Sequence, residues 1–203
     1  MPLDRSHLLA PSFEVAPLLL GSILTVDSPE GSVSLRITEV EAYHGSGDPG
    51  SHAFRGKTNR NAVMFGEPGH LYTYFTYGLH TCANVVCGPE GQASGCLLRA
   101  GEIVEGLELA RSRRVTSRGD VDLARGPARL TVAAGITLDD GGADLVASRI
   151  RLDLGTGAAD YATGPRTGVS GPGGTAEFPW RFWIPGDRTV SPYKAHVPKR
   201  SIP

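Results

Sequence analysis

The sequence predicts an α+β fold built on antiparallel strands, and three observations carry that reading. Short runs rich in β-branched and aromatic residues follow one another with Gly at their ends, as antiparallel strands do. Strand-like and helix-like runs do not alternate as βαβ units, so a doubly wound parallel sheet is excluded. The chain holds 27 Gly and 15 Pro in 203 residues, which requires short elements joined by many turns.

The elements follow in order. Residues 12–19 read as a short helix with Ser12 as N-cap and Pro17 breaking or bending it. Ser22–Val26 and Ser32–Tyr43 read as strands joined by the turn Ser28-Pro29-Glu30-Gly31. Thr58 opens a capped helical turn through Phe65. His70–Tyr77, Leu79–Val86 and Ala93–Ala100 read as antiparallel strands, with Tyr77-Gly78 at a hairpin tip where Gly accepts a positive φ. Glu102–Arg114 carries Ile103, Leu107 and Ala110 on one face, with Glu early and Arg late, and predicts a helix. Gly126-Pro127 opens another helix through Ala134. The Gly-, Thr- and Pro-rich stretch 155–176 predicts a long surface loop.

Composition bounds the class. An apolar fraction of 40% excludes global disorder, and this length fits one domain or little more. No run reaches the ~18 apolar residues of a membrane span, and the first residues lack a signal-peptide pattern. Cys82, Cys87 and Cys96 form an odd set without a C-x-x-C, which predicts neither a disulfide framework nor a zinc site, and a reducing cytoplasm. A net charge of -1 argues by itself against a nucleic-acid partner. Its distribution argues otherwise. Residues 110–130 and 161–203 each carry an excess of four positive charges, while 131–160 carries an excess of three negative ones, so a basic face and an acidic face are expected.

Two segments carry chemistry. In Val33–Tyr43 the odd positions Val33, Leu35 and Ile37 face a core, and the same face continues as Glu39, Glu41 and Tyr43. Two readings stand. The strand leaves the core or slips at a bulge after Ile37; or a cleft lies at its end, where a carboxylate serves as general base. His52 follows Glu41 by eleven residues and is placed to share such a cleft. The second segment is the run Leu71–Val86, where Tyr72, Tyr74 and Tyr77 crowd together. Core packing explains Tyr72 and Tyr74; Tyr77, beside the tip, is suited to act as a wedge or stacking platform for a base. Asn84 and Arg99 are polar residues among apolar neighbours.

These stretches, in order, resemble the alkyladenine (3-methyladenine) DNA glycosylase family of the α+β type found in vertebrates and bacteria. The matching segments are Leu20-Gly21, Glu39-Val-Glu41-Ala-Tyr43, His52, Asn59-Arg60, Pro68-Gly-His-Leu-Tyr72-Thr-Tyr74, Tyr77-Gly78, Asn84, Leu97-Leu-Arg99-Ala100, Leu123–Leu130 and Arg181-Phe-Trp183. The resemblance implies a single compact domain over residues 1–203, with a curved sheet similar to the formyltransferase C-terminal domain. It implies that Glu41 deprotonates the attacking water, that Arg99 holds that water or Glu41, and that Tyr43, His52 and Tyr74 enclose a flipped base. Tyr77 would fill the gap in the duplex, and Asn84 would disfavour normal guanine. The expected reaction is base flipping followed by hydrolysis of the N-glycosidic bond of an alkylated or deaminated purine, with no metal or cofactor. No Lys stands among the pocket residues, so no lyase step is expected. The expected partner is damaged double-stranded DNA and the expected state a monomer.

His44, Leu79 and His80 depart from the family pattern. Two other readings of the residues remain at this stage. A glycosidase or nucleosidase could use Glu39 and Glu41 as a pair, since i and i+2 on a strand lie ~7 Å apart. A non-catalytic nucleic-acid-binding module could use the Tyr platform alone.

Overall fold

The computed structural model describes residues 3–76 and 78–197. Its strands are β1 (Ile23–Ser28), β2 (Gly31–Tyr43), β3 (Leu71–Thr76), β4 (His80–Val86), β5 (Gly95–Glu105), β6 (Ile150–Asp153), β7 (Ala162–Gly164) and β8 (Arg181–Trp183). The helices are α1 (Ser12–Leu19), α2 (Leu107–Arg113) and α3 (Pro127–Ala134). The fold is α+β, as the sequence predicts. The strands form one antiparallel sheet in the order β3-β4-β5-β2-β1-β6, with β8 joining β2 and β7 joining β8. No helix among the described residues is long and apolar enough to cross a membrane.

The long strand β2 organises the sheet. One edge pairs with β5 along its length, while the other pairs first with β1 and then, from Glu39, with β8. Register irregularities interrupt the β2–β5 ladder between Ile37 and Glu39 and between Glu39 and Val40. There the parity of the core face changes. Val33, Leu35 and Ile37 belong to the main core before it, and Val40 and Ala42 after it. On β5 the core residues change from Ile103 to Leu98 and Cys96. The bulge read from the sequence therefore forms, and it turns Glu39, Glu41 and Tyr43 onto the face opposite the core. Both carboxylates are nonetheless fully buried.

All three helices pack on the core face. Val15, Ala16 and Leu19 of α1, Ala110 of α2 and Leu130, Ala133 and Ala134 of α3 join the same cluster as the strand residues. Fully burying a side chain of Leu or Val size contributes about 1.5–3 kcal/mol. The opposite face, at the β3-β4-β5-β2 end, is left for other groups.

Several local expectations are corrected. Ser12 is the first helical residue and Pro11 the N-cap; the Ser12 hydroxyl instead donates to the Tyr43 carbonyl at 3.0 Å. Pro17 lies inside α1 without ending it before Leu19. The turn after Thr58 is a 3-10 turn over Ala62–Phe65, and Thr58 and Asn61 bond to one another just before it. Residues 102–105 continue β5, and the helix begins only at Leu107. Ile103 satisfies helical spacing, but it pairs with Leu35 in the ladder. Gly106, at φ 75°, makes the break; a Cβ there would lie 2.1 Å from the Ser32 carbonyl oxygen. The stretch 155–176 is more than a surface loop, because it supplies β7, a 3-10 turn over Pro172–Gly174 and the buried Arg166.

Candidate active site

Period-two alternation on four adjacent strands aims one set of side chains away from the core. Tyr72 and Tyr74 of β3, Cys82 and Asn84 of β4, Leu97 and Arg99 of β5, and Glu41 and Tyr43 of β2 line one cleft of about 360 Å³. That volume lies in the range of small-molecule sites. Pro49, Gly50, His52 and Met64 close one side, Thr167–Ser170 another, and Pro127 contributes from the start of α3. The structure thus brings six of the residues singled out from sequence to one place: Glu41, Tyr43, His52, Tyr74, Asn84 and Arg99. Tyr77, the wedge candidate, lies outside the described residues. Gly78, next to it, has the positive φ of 66° expected at the tip, and Leu79 beyond it is exposed.

Glu41 is held by donors on both oxygens. Oε1 accepts the Thr167 backbone N–H at 2.6 Å and lies 3.3 Å from Arg99 Nη1; Oε2 accepts the Tyr43 hydroxyl at 2.9 Å. Burial, and next the Glu41 charge, push the Tyr43 phenol well above its ordinary pKa, so it stays a donor. Burial opposes the charge on Arg99, but Glu41 and Glu39 outweigh it and raise the guanidinium above its usual value.

Glu39 does not line the cleft. Its Oε1 accepts from Arg99 Nε at 3.0 Å and Arg181 Nε at 2.6 Å, and its Oε2 accepts the Ser191 N–H at 2.7 Å. Two guanidiniums and a peptide group occupy it. The paired-carboxylate reading therefore fails: one carboxylate faces the cleft and the other is sealed behind Arg99.

The wall is aromatic. The Tyr72 and Tyr74 rings stack at 5.6 Å, and His52 meets Tyr74 edge-on at 4.5 Å. His52 is exposed at the mouth, with Nδ1 3.2 Å from the Tyr72 hydroxyl. Partial burial, and secondly the Arg60 charge, lower its pKa. Burial likewise raises that of Tyr74. The Asn84 amide donates to the Tyr72 carbonyl at 3.1 Å. His44 turns elsewhere: its ring packs on Phe13 at 5.4 Å and lines a different depression with Gly45–Gly47 and Gln92.

The loops over the cleft are clamped by a buried ion pair. Arg166 reaches Asp48 at 2.5 and 2.6 Å, donates to the Ala42 and Gly173 carbonyls, and lies 4.5 Å from the Tyr43 ring centre. Asp48 in turn accepts the N–H groups of His44 and Gly50. Thr167 was not foreseen, and nothing in its Gly- and Pro-rich surroundings marks it. Cys82 and Leu97 could have been found by stepping two residues back from Asn84 and Arg99. Among the described residues no group of three or more His, Cys, Asp or Glu is disposed to hold a metal ion.

The charge pattern is also partly corrected. In 110–130, Arg111 pairs with Glu108 and Asp120, Arg113 with Glu30, and Arg114 and Arg129 with Asp122. Four of its six arginines are thus ion-paired, two of them with Glu30 and Glu108 from outside the segment. Arg55, Lys57 and Arg60 make no ion pair among the described residues, and Arg60 lies 5.8 Å from the Tyr74 ring centre at the cleft. None of the acidic residues of 131–160 lines the cleft.

Known proteins resemble this chain over most of its length. Residues 6–188 match the family described as methylpurine-DNA glycosylase. A protein of Leifsonia xyli subsp. xyli, provisionally named 3-methyladenine DNA glycosylase, is 64% identical over 197 residues, covering 95% of this chain and 92% of its own. Proteins with the same name from Streptomyces avermitilis and Corynebacterium jeikeium are 55% and 47% identical, over 98% and 93% of this chain and 95% and 91% of theirs. A match over this much of the chain, around a cleft with a single carboxylate and an aromatic wall, leads to one conclusion: the chain belongs to the methylpurine-DNA glycosylase family, a family of N-glycosyl hydrolases.

Proposed function

We propose that this protein removes alkylated or deaminated purines from duplex DNA by hydrolysis, acting as a monomer and leaving an abasic site. The observation that carries the proposal is Glu41, held by Thr167, Tyr43 and Arg99 and facing a cleft walled by Tyr43, Tyr74 and His52. A base within a duplex is out of reach of such a recessed group, so the nucleotide must be extruded, which costs a few kcal/mol and least at a damaged pair. The aromatic faces then enclose the base, and a cationic N-alkylpurine gains cation–π attraction as well. Glu41 takes a proton from water as it attacks the sugar carbon, and its charge stabilises the oxocarbenium-like transition state. Arg99 orients Glu41. Asn84, which lines the cleft, disfavours a normal guanine, and Tyr77 fills the vacated stack. No Lys lines the described cleft, which supports hydrolysis over a Schiff-base route.

The test is excision from duplexes carrying hypoxanthine, ethenoadenine or a methylated purine. Glu41→Gln is expected to lose roughly 10²–10⁴-fold in rate while still binding DNA. Tyr77→Ala is expected to weaken binding and flipping. Full activity in Glu41→Gln would overturn the general-base assignment.

A further inference from the structure

We propose that Ser191 is a positioning residue for the hydrolysis, acting through Arg99 on Glu41; the inference rests on the assignment of Glu41 as the base. Ser191 lies beyond residues 6–188 that match the family, and it is buried at 6% exposure. It does not line the cleft. Yet it touches every other member of the charge cluster behind Glu41. Its N–H donates to Glu39 Oε2 at 2.7 Å, its hydroxyl oxygen accepts from Arg99 Nη2 at 3.2 Å, and its carbonyl accepts from Arg181 Nη2 at 2.8 Å.

The consequence follows from the geometry of a guanidinium. Arg99 is a planar fork with fixed donor directions. Nε is tied to Glu39, Nη2 to Ser191, and Nη1 is the group left for Glu41. With two corners fixed, the position of the third is set. The 3.3 Å approach of Nη1 to Glu41 is therefore determined by partners that never meet the substrate. The flanking residues strengthen the hold: the Val190 carbonyl accepts from Arg125 Nε, and the Lys194 carbonyl accepts the Gly168 N–H, next to the Thr167 that binds Glu41. The segment 190–194 thus braces two of the three groups that hold Glu41. Glu39 and Arg181 anchor that brace.

Removal of the hydroxyl alone isolates the effect. Ser191→Ala keeps the backbone bonds to Glu39 and Arg181 and frees only one corner of Arg99. Small misplacements of reacting groups cost up to about 100-fold in rate; for one loosened corner we expect about a 10-fold slower single-turnover excision. Affinity for a duplex bearing a tetrahydrofuran abasic analogue should match wild type, the thermal midpoint should fall slightly because one buried hydrogen bond to Arg99 is lost, and Ser191→Thr should restore the rate. A Ser191→Ala protein as fast as wild type would overturn the proposal alone. A rate loss matched by an equal loss of affinity, with Ser191→Thr no faster than Ser191→Ala, would also overturn it, leaving a structural role only. Failure of the wild type to excise any of the lesions would overturn the parent function and this inference with it.

Discussion

Glu39 and Glu41 stand two residues apart on one face of one strand, and their surroundings give them different work. Glu39 accepts from Arg99, Arg181 and the Ser191 peptide and has no path to the cleft. Glu41 shares only one arm of Arg99 and faces the opening. A buried charge must be compensated, and here compensation of one carboxylate leaves the other available. The same scale shows one group without compensation. The Thr167 hydroxyl is the buried side-chain polar atom without a partner among the described residues, although the Thr167 backbone serves Glu41 at 2.6 Å. Leaving a buried polar group unpaired costs about 1–3 kcal/mol. Thr167→Val is therefore expected to raise unfolding stability by about 1 kcal/mol in urea denaturation. A loss of similar size would show that the hydroxyl has a partner in the folded protein.

At the scale of elements, what could be read from the sequence depended on whether the determinant was local. The strands expected over Ser32–Tyr43, His70–Tyr77 and Leu79–Val86 have period-two patterns, and they form as Gly31–Tyr43, Leu71–Thr76 and His80–Val86 among the described residues. The Glu102–Arg114 helix did not begin where its apolar spacing suggested, because the β2–β5 ladder claims residues through Glu105. Likewise the bulge and the cleft stand as alternatives in the sequence after Ile37, and both occur: the bulge turns Glu39 and Glu41 away from the core, and Glu41 reaches the cleft. The 155–176 stretch hid its role because Arg166 finds its partner 118 residues away in sequence. That pair joins the segment after β2 to the one after β7, and both its side chains are fully buried. Asp48→Ala would leave Arg166 buried without a counter-charge. It is expected to cost about 3–5 kcal/mol of stability by chemical denaturation; a cost below about 1 kcal/mol would mean that water or another acid reaches Arg166.

For the whole molecule, a net charge of -1 is a poor guide to the partner because pairing, and not the sum, decides which charges a polyanion meets. Four of the six arginines in 110–130 already hold carboxylates, and Arg166 and Arg181 are sealed inside. Cations without ion pairs among the described residues also stand in a segment that no charge excess marks. Arg55, Lys57 and Arg60 are exposed, without ion pairs among the described residues, and follow directly on His52 at the cleft mouth. Each phosphate contact contributes about -0.9 to the slope of log K against log salt. If these three supply the main phosphate contacts, wild type should show a slope of about -3 on undamaged duplex, shallow for a DNA-binding protein. Arg55→Ala/Lys57→Ala should then reduce its magnitude by about 2. Arg111→Ala/Arg129→Ala removes the same formal charge from ion-paired positions and should leave the slope unchanged. Equal reductions in the two double variants, measured by titrations across a salt series, would show that total charge governs binding and that the loop beside His52 has no special part in it.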